Sequence, residues 1–116
     1  MRQVKGKRRK AMTAIYKNSL GTYPIKLRMH RYQNKNLAIQ MICAAGAYKG
    51  ESFAFLTTNL YKLDKPNQAF IDINNLENAI EFIKKYRLGK IVNRASSGYC
   101  TYPVVEFNME EVEKYV

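Results

Sequence analysis

From Leu37 to Ala44 the chain reads LAIQMICA, apolar at every position except Gln40. A strand of that composition has no face to turn toward water, so it must be covered on both sides and lie inside a sheet. The neighbouring segments supply the sheet. Upstream, Tyr23 to Tyr32 alternates, with Ile25, Leu27 and Met29 on one side and Lys26, Arg28 and His30 on the other. That is the period of a half-buried strand, and Gln33-Asn34-Lys35-Asn36 reads as the turn that joins it to the apolar run. Downstream, Ala45 to Gly50 contains two glycines and makes a second hairpin connection. Ser52 to Asn59 follows as a third strand, with Phe53, Phe55 and Thr57 opposite Ala54, Leu56 and Thr58.

Beyond a polar loop from Tyr61 to Gln68, broken at Pro66-Asn67, Ala69 to Ile73 forms a short fourth strand. Asn74-Asn75 then offers a helix N-cap, because an Asn side chain accepts from the free amides of a first turn. The spacing predicts a helix over Leu76–Leu88 that places Leu76, Ala79, Ile80 and Ile83 against the sheet, with Gly89 as its stop. Ile91 to Arg94 extends into a fifth strand, Ser96-Ser97-Gly98 turns, and Tyr99 to Phe107 is the last strand. Pro103 has no amide to donate, so it belongs on an edge or at a bulge. Asn108 caps a short C-terminal helix with Glu110 and Glu111 in its first turn. The expected class is α+β, a mainly antiparallel sheet of about five strands with one packed helix and a short terminal one.

At 116 residues, with 47% apolar composition, the chain is one globular domain rather than a disordered segment. Residues 1–15 read as a basic, flexible tail and 16–116 as the folded domain. The charge is divided unevenly. Residues 1–50 hold 12 Lys and Arg and no acid, whereas residues 51–116 hold 8 against 9 acids, which leaves a net charge of +11. A field of that sign in one half attracts polyanions. No apolar run approaches the ~18 residues of a membrane span, and no signal peptide is expected. Cytoplasmic thiols follow, and Cys43 and Cys100 are expected to be buried and inert. Two thiols and one His do not complete a metal site, so neither metal nor cofactor is expected.

Several segments together resemble one family. They are Ala69-Phe70-Ile71-Asp72-Ile73-Asn74-Asn75, then Glu81-Phe82-Ile83, then Gly98-Tyr99-Cys100-Thr101-Tyr102-Pro103-Val104-Val105-Glu106-Phe107. Leu37-Ala38-Ile39-Gln40 and Thr57-Thr58-Asn59-Leu60 fit it as well, which extends the resemblance over roughly residues 37–113. The order resembles small uncharacterised proteins carried on conjugative plasmids and transposons of Gram-positive bacteria. The resemblance implies a mobile-element setting in a bacterial cytoplasm, beside antirestriction and anti-CRISPR genes, and it brings no catalytic residues.

Catalysis is not expected. The one His, His30, stands beside Lys26 and Arg28, which disfavour a further positive charge, and no Gly-rich phosphate loop is present. The candidate residues are instead those of a basic surface. Arg8, Arg9 and Lys10 lie in the tail, and Lys26, Arg28, His30 and Arg31 on the strand, near Tyr23 and Tyr32. Cations interleaved with aromatics suit phosphate contacts and base stacking, although strand tyrosines more often fill a core or its rim. The first functional reading is an anti-CRISPR-type inhibitor that binds a Cas9-like effector or its guide RNA. The second is a nucleic-acid-binding accessory protein of conjugation or element maintenance. Neither reading involves a membrane, and the oligomeric state is left open.

Overall fold

The computed structural model describes residues 11–116. Leu37–Cys43 (β3) is an interior strand, paired on one side with Gly21–Arg31 (β2) and on the other with Ser52–Phe55 (β4). Ala14–Asn18 (β1) completes an antiparallel sheet in the order β1-β2-β3-β4. β1 thus begins within the stretch read as a basic tail. Residues 1–10 fall outside the described part.

The expected third strand is two strands. Ser52–Phe55 belongs to the first sheet, whereas Thr57–Thr58 (β5) opens a second sheet in the order β5-β6-β8-β7. In that sheet β6 is Gln68–Ile71, β7 is Gly89–Ser97 and β8 is Cys100–Phe107. Leu56, fully buried, is the switch point. Its N–H donates to Ile39 O at 2.9 Å in the first sheet, and its carbonyl accepts from Asp72 N at 3.1 Å beside the second. One stretch of chain therefore serves two sheets, which the simple alternation of Phe53 to Thr58 does not disclose. The fold is α+β, with eight antiparallel strands among the described residues rather than about five.

The helix is also shorter than its periodicity suggests. It spans Ala79–Lys85 (α1), and Asn78 precedes it in the left-handed region with no side-chain cap. Asn75 and Asn78 are engaged elsewhere. Asn75 Nδ2 donates to the Asp72 carboxylate at 3.1 Å, and Asn78 Nδ2 donates to Lys17 O at 3.1 Å on the free edge of β1. Those contacts hold residues 74–78 as turns against the β1–β2 hairpin. The buried face of α1 is Ala79, Phe82 and Ile83, while Ile80 is only half-buried. Gly89 is not the helix stop. The left-handed residue after the helix is Arg87 (φ 56°), and Gly89 opens β7 where a Cβ would meet Glu106 O at 2.6 Å.

The C-terminal elements match expectation except at Ser96 and Ser97, which are not turn residues but the end of β7, paired with Thr101 and Cys100. Gly98 (φ 62°) occupies the turn between Ser97 and Cys100. Pairing of β6 with β8 ends at Phe70↔Val104, so Pro103 lies past it on a local edge. Asn108 caps Met109–Glu113 (α2) by accepting from Glu110 N at 3.1 Å. The core fills the space between the sheets and the two helices, with Tyr16, Ile39, Ile71 and Phe107 among its largest fully buried side chains. The Tyr16 hydroxyl donates to Glu77 O, and burial raises its pKa above the usual tyrosine value. The other face of the second sheet carries a smaller cluster of Leu63, Phe70, Ala95 and Val104.

Candidate anion-binding face

The alternation of β2 sorts its side chains cleanly. Ile25 and Leu27 are buried, and Lys26, Arg28 and His30 share the opposite, outer face. Register sets Lys26 beside Ile42, Arg28 beside Gln40 and His30 beside Ala38 on β3. His30 Nε2 lies 2.7 Å from Gln40 Oε1, and because an amide oxygen only accepts, Nε2 carries the proton. The imidazole also lies 6.1 Å from the Phe55 ring, at a tilt. Lys26 Nζ donates to Ala11 O at 3.0 Å. Arg28 is exposed, and among the described residues it has neither a side-chain hydrogen bond nor an ion pair.

A groove of about 290 Å³ runs along this face, lined by Lys26, Arg28, Ile42, Lys49 and Val116 among others. Lys49 was not among the expected residues. It lies in the turn from β3 to β4, where Gly50 N donates to Cys43 O at 2.8 Å and folds the segment back beside β2. The apolar Ile42, opposite Lys26, also lines the groove and makes a dry wall against which a cation's attraction for an anion is less screened.

The structure separates the remaining candidates from this row. Tyr23 is on the inner face, 4.9 Å from the Phe53 ring and 6.4 Å from that of Tyr16. Its odd position gives it the same side as Ile25, so it packs with the core rather than with the cations. Tyr32 lies past the end of β2, and its hydroxyl is 3.1 Å from Oγ1 of buried Thr57. Arg31 donates to Pro66 O at 2.6 Å and Lys35 O at 3.3 Å, which ties the 61–67 loop to the end of β2. Arg8, Arg9 and Lys10 lie outside the described residues. Cys43 and Cys100 are free and half-buried rather than fully buried.

The electrostatic balance is one-sided. Among the described residues only two ion pairs form, Lys65–Glu106 at 3.6 Å and Lys114–Glu111 at 3.1 Å. Neither involves the β2 face, whose cations have no carboxylate partner among the described residues. Exposed pairs of this kind contribute little to stability in any case. Among the same residues, no three His, Cys, Asp or Glu side chains converge as metal ligands, and no helix is long and apolar enough to cross a membrane.

Comparison with known proteins gives one match. A family model described as "Domain of unknown function (DUF4313)" covers residues 26–116, from Lys26 on β2 through the end of α2 and beyond. No curated protein matches, and no solved structure matches.

Proposed function

The chain belongs to the DUF4313 family, and from that premise we propose that it is a non-enzymatic binding protein whose outer β2 face docks on an anionic partner. One observation carries the reading: Lys26, Arg28 and Lys49 line a single groove with no carboxylate partner among the described residues. Arg28 is the centre of it, since the guanidinium fork grips phosphate or carboxylate oxygens in pairs whereas ammonium acts as a point charge. The resemblance to small proteins of conjugative plasmids and transposons favours a host-defence ribonucleoprotein, with a Cas9-like effector first, as the partner. A chain of +11 cannot imitate DNA with an acidic surface. It engages an acidic face of the effector or the guide-RNA phosphates instead, in the bacterial cytoplasm.

A mobility-shift titration of the full chain with single-stranded RNA, across salt, combined with capture of a Cas effector from host lysate, tests this. Arg28→Glu should weaken the captured complex by about tenfold or more, the size of one charge-assisted contact. Unchanged capture by Arg28→Glu at physiological salt moves the functional surface elsewhere. Tight binding to free nucleic acid whose log affinity falls steeply with log salt, without capture of an effector, would favour an accessory role in conjugation or element maintenance.

A further inference from the structure

The connection from α1 to β7 carries a second group of cations, independent of the β2 face. Lys84, Arg87 and Lys90 line one groove of about 610 Å³ together with Gly89, Glu106 and Asn108. Glu106 lies in the same groove, directly opposite Lys90 in the register of β7 and β8, but forms no ion pair with the three cations. Its carboxylate pairs with Lys65 Nζ at 3.6 Å and accepts from Gln68 Nε2 at 3.3 Å. None of the three cations forms an ion pair among the described residues.

Nor does the fold need these side chains at the helix end. Leu88 N donates to Ile83 O at 2.9 Å and Arg87 N to Lys84 O at 3.1 Å, so the backbone itself satisfies the last carbonyls. Lys85, which is outside the groove, already places a cation in the last turn, where the dipole of a seven-residue helix acts. Arg87 and Lys90 lie beyond that turn.

Arg87 is the telling residue. At φ 56° it occupies the left-handed position of the cap, which a side chain disfavours and glycine adopts freely. Strain of this kind gathers at functional sites, where a particular side chain is held against its backbone preference. We infer that Lys84, Arg87 and Lys90 form a binding site for phosphate groups, from a nucleic-acid backbone or from a free phosphate compound. A terminal phosphate presents three acceptor oxygens and up to about two charges, and successive phosphodiesters of a nucleic-acid backbone present two oxygens and one charge each, so either can engage the guanidinium fork and the two ammonium groups together.

The test uses the full chain, with amide chemical shifts followed during titration by pyrophosphate and, separately, by a single-stranded RNA oligonucleotide. Perturbation centred on residues 84–90 is expected. Arg87→Gly should melt at a higher temperature than wild type, because glycine removes the left-handed strain, and yet bind the perturbing probe about tenfold more weakly. A merely structural Arg87 would not separate the two effects. If Arg87→Gly proves unstable, Lys84→Gln with Lys90→Gln leaves the cap intact and should show the same loss. Shifts at 84–90 with RNA identify a nucleic-acid backbone as the source, and shifts with pyrophosphate alone identify a free phosphate compound. Unchanged affinity in both variants, or no response at 84–90 to either probe, overturns the site. Arg28→Glu leaves these shifts in place, so failure here is distinct from failure of the β2 face.

Discussion

Asn36 shows how much a single residue can carry in this fold. In sequence it is the last member of a polar turn. In the structure it is buried, and its Nδ2 donates to Asn59 Oδ1 at 2.9 Å and to Tyr61 O at 2.7 Å. Its Oδ1 accepts from Leu63 N at 2.9 Å. One amide thereby pins the loop that carries Leu63 over the second sheet. Asn36→Ala strands the Leu63 N–H away from water, at about 1–3 kcal/mol for an unsatisfied buried group. Urea denaturation should show that loss as a lower midpoint at unchanged slope, and a midpoint equal to wild type would mean that the loop finds other partners.

At the scale of elements, α1 and the Leu56 crossover decide how the two sheets share one core. Phe82 points into it, with its ring 5.9 Å from that of Tyr16 and 5.3 Å from that of Tyr86. Tyr86 in turn reaches β1, where its hydroxyl accepts from Ile15 N at 2.7 Å. The helix thus closes the free edge of β1 with a side chain in place of a strand, which guards that edge against pairing with another chain. Phe82→Ala should cost about 3–5 kcal/mol, the range for emptying a buried aromatic site. Ile80 is half-buried, so Ile80→Asp leaves its carboxylate a path to solvent and should cost less. Thermal melts of the two variants check the order, and an Ile80→Asp protein less stable than Phe82→Ala would put the buried face of α1 one position away.

For the whole molecule, the decisive quantity is charge. The chain carries 20 Lys and Arg against 9 acids, and ion pairing among the described residues is confined to Lys65–Glu106 and Lys114–Glu111. Self-repulsion therefore opposes the compact state. Salt should stabilise the protein as the screening length shrinks from about 30 Å at 0.01 M to about 10 Å at 0.1 M. Phosphate should exceed chloride at matched ionic strength if anions occupy the cation-lined grooves. Melting temperatures in chloride and phosphate series measure both effects, and a flat chloride series would show that the positive groups are already compensated.

Legibility in the sequence followed the range of the interactions. The apolar run of β3, the alternation of β2, the Gly98 turn and the Asn108 cap are set by contacts within a few residues, and each was readable from the chain. The outward row of Lys26, Arg28 and His30 came with them, because strand pleating alone fixes which side a residue takes. Tyr23 obeys the same rule, and its odd position already set it apart from the cations. What the tertiary structure alone decided depends on partners far along the chain. Leu56 divides one strand between two sheets because Ile39 and Asp72 bond its opposite sides. Asn78 leaves the helix uncapped because its backbone is left-handed instead of extended and its side chain is turned toward Lys17 O. Lys49 joins the β2 groove, and Lys84, Arg87 and Lys90 share another, because sheet register and the helix cap bring them together. Local periodicity is a property of neighbouring residues, whereas convergence of charge is a property of the folded surface.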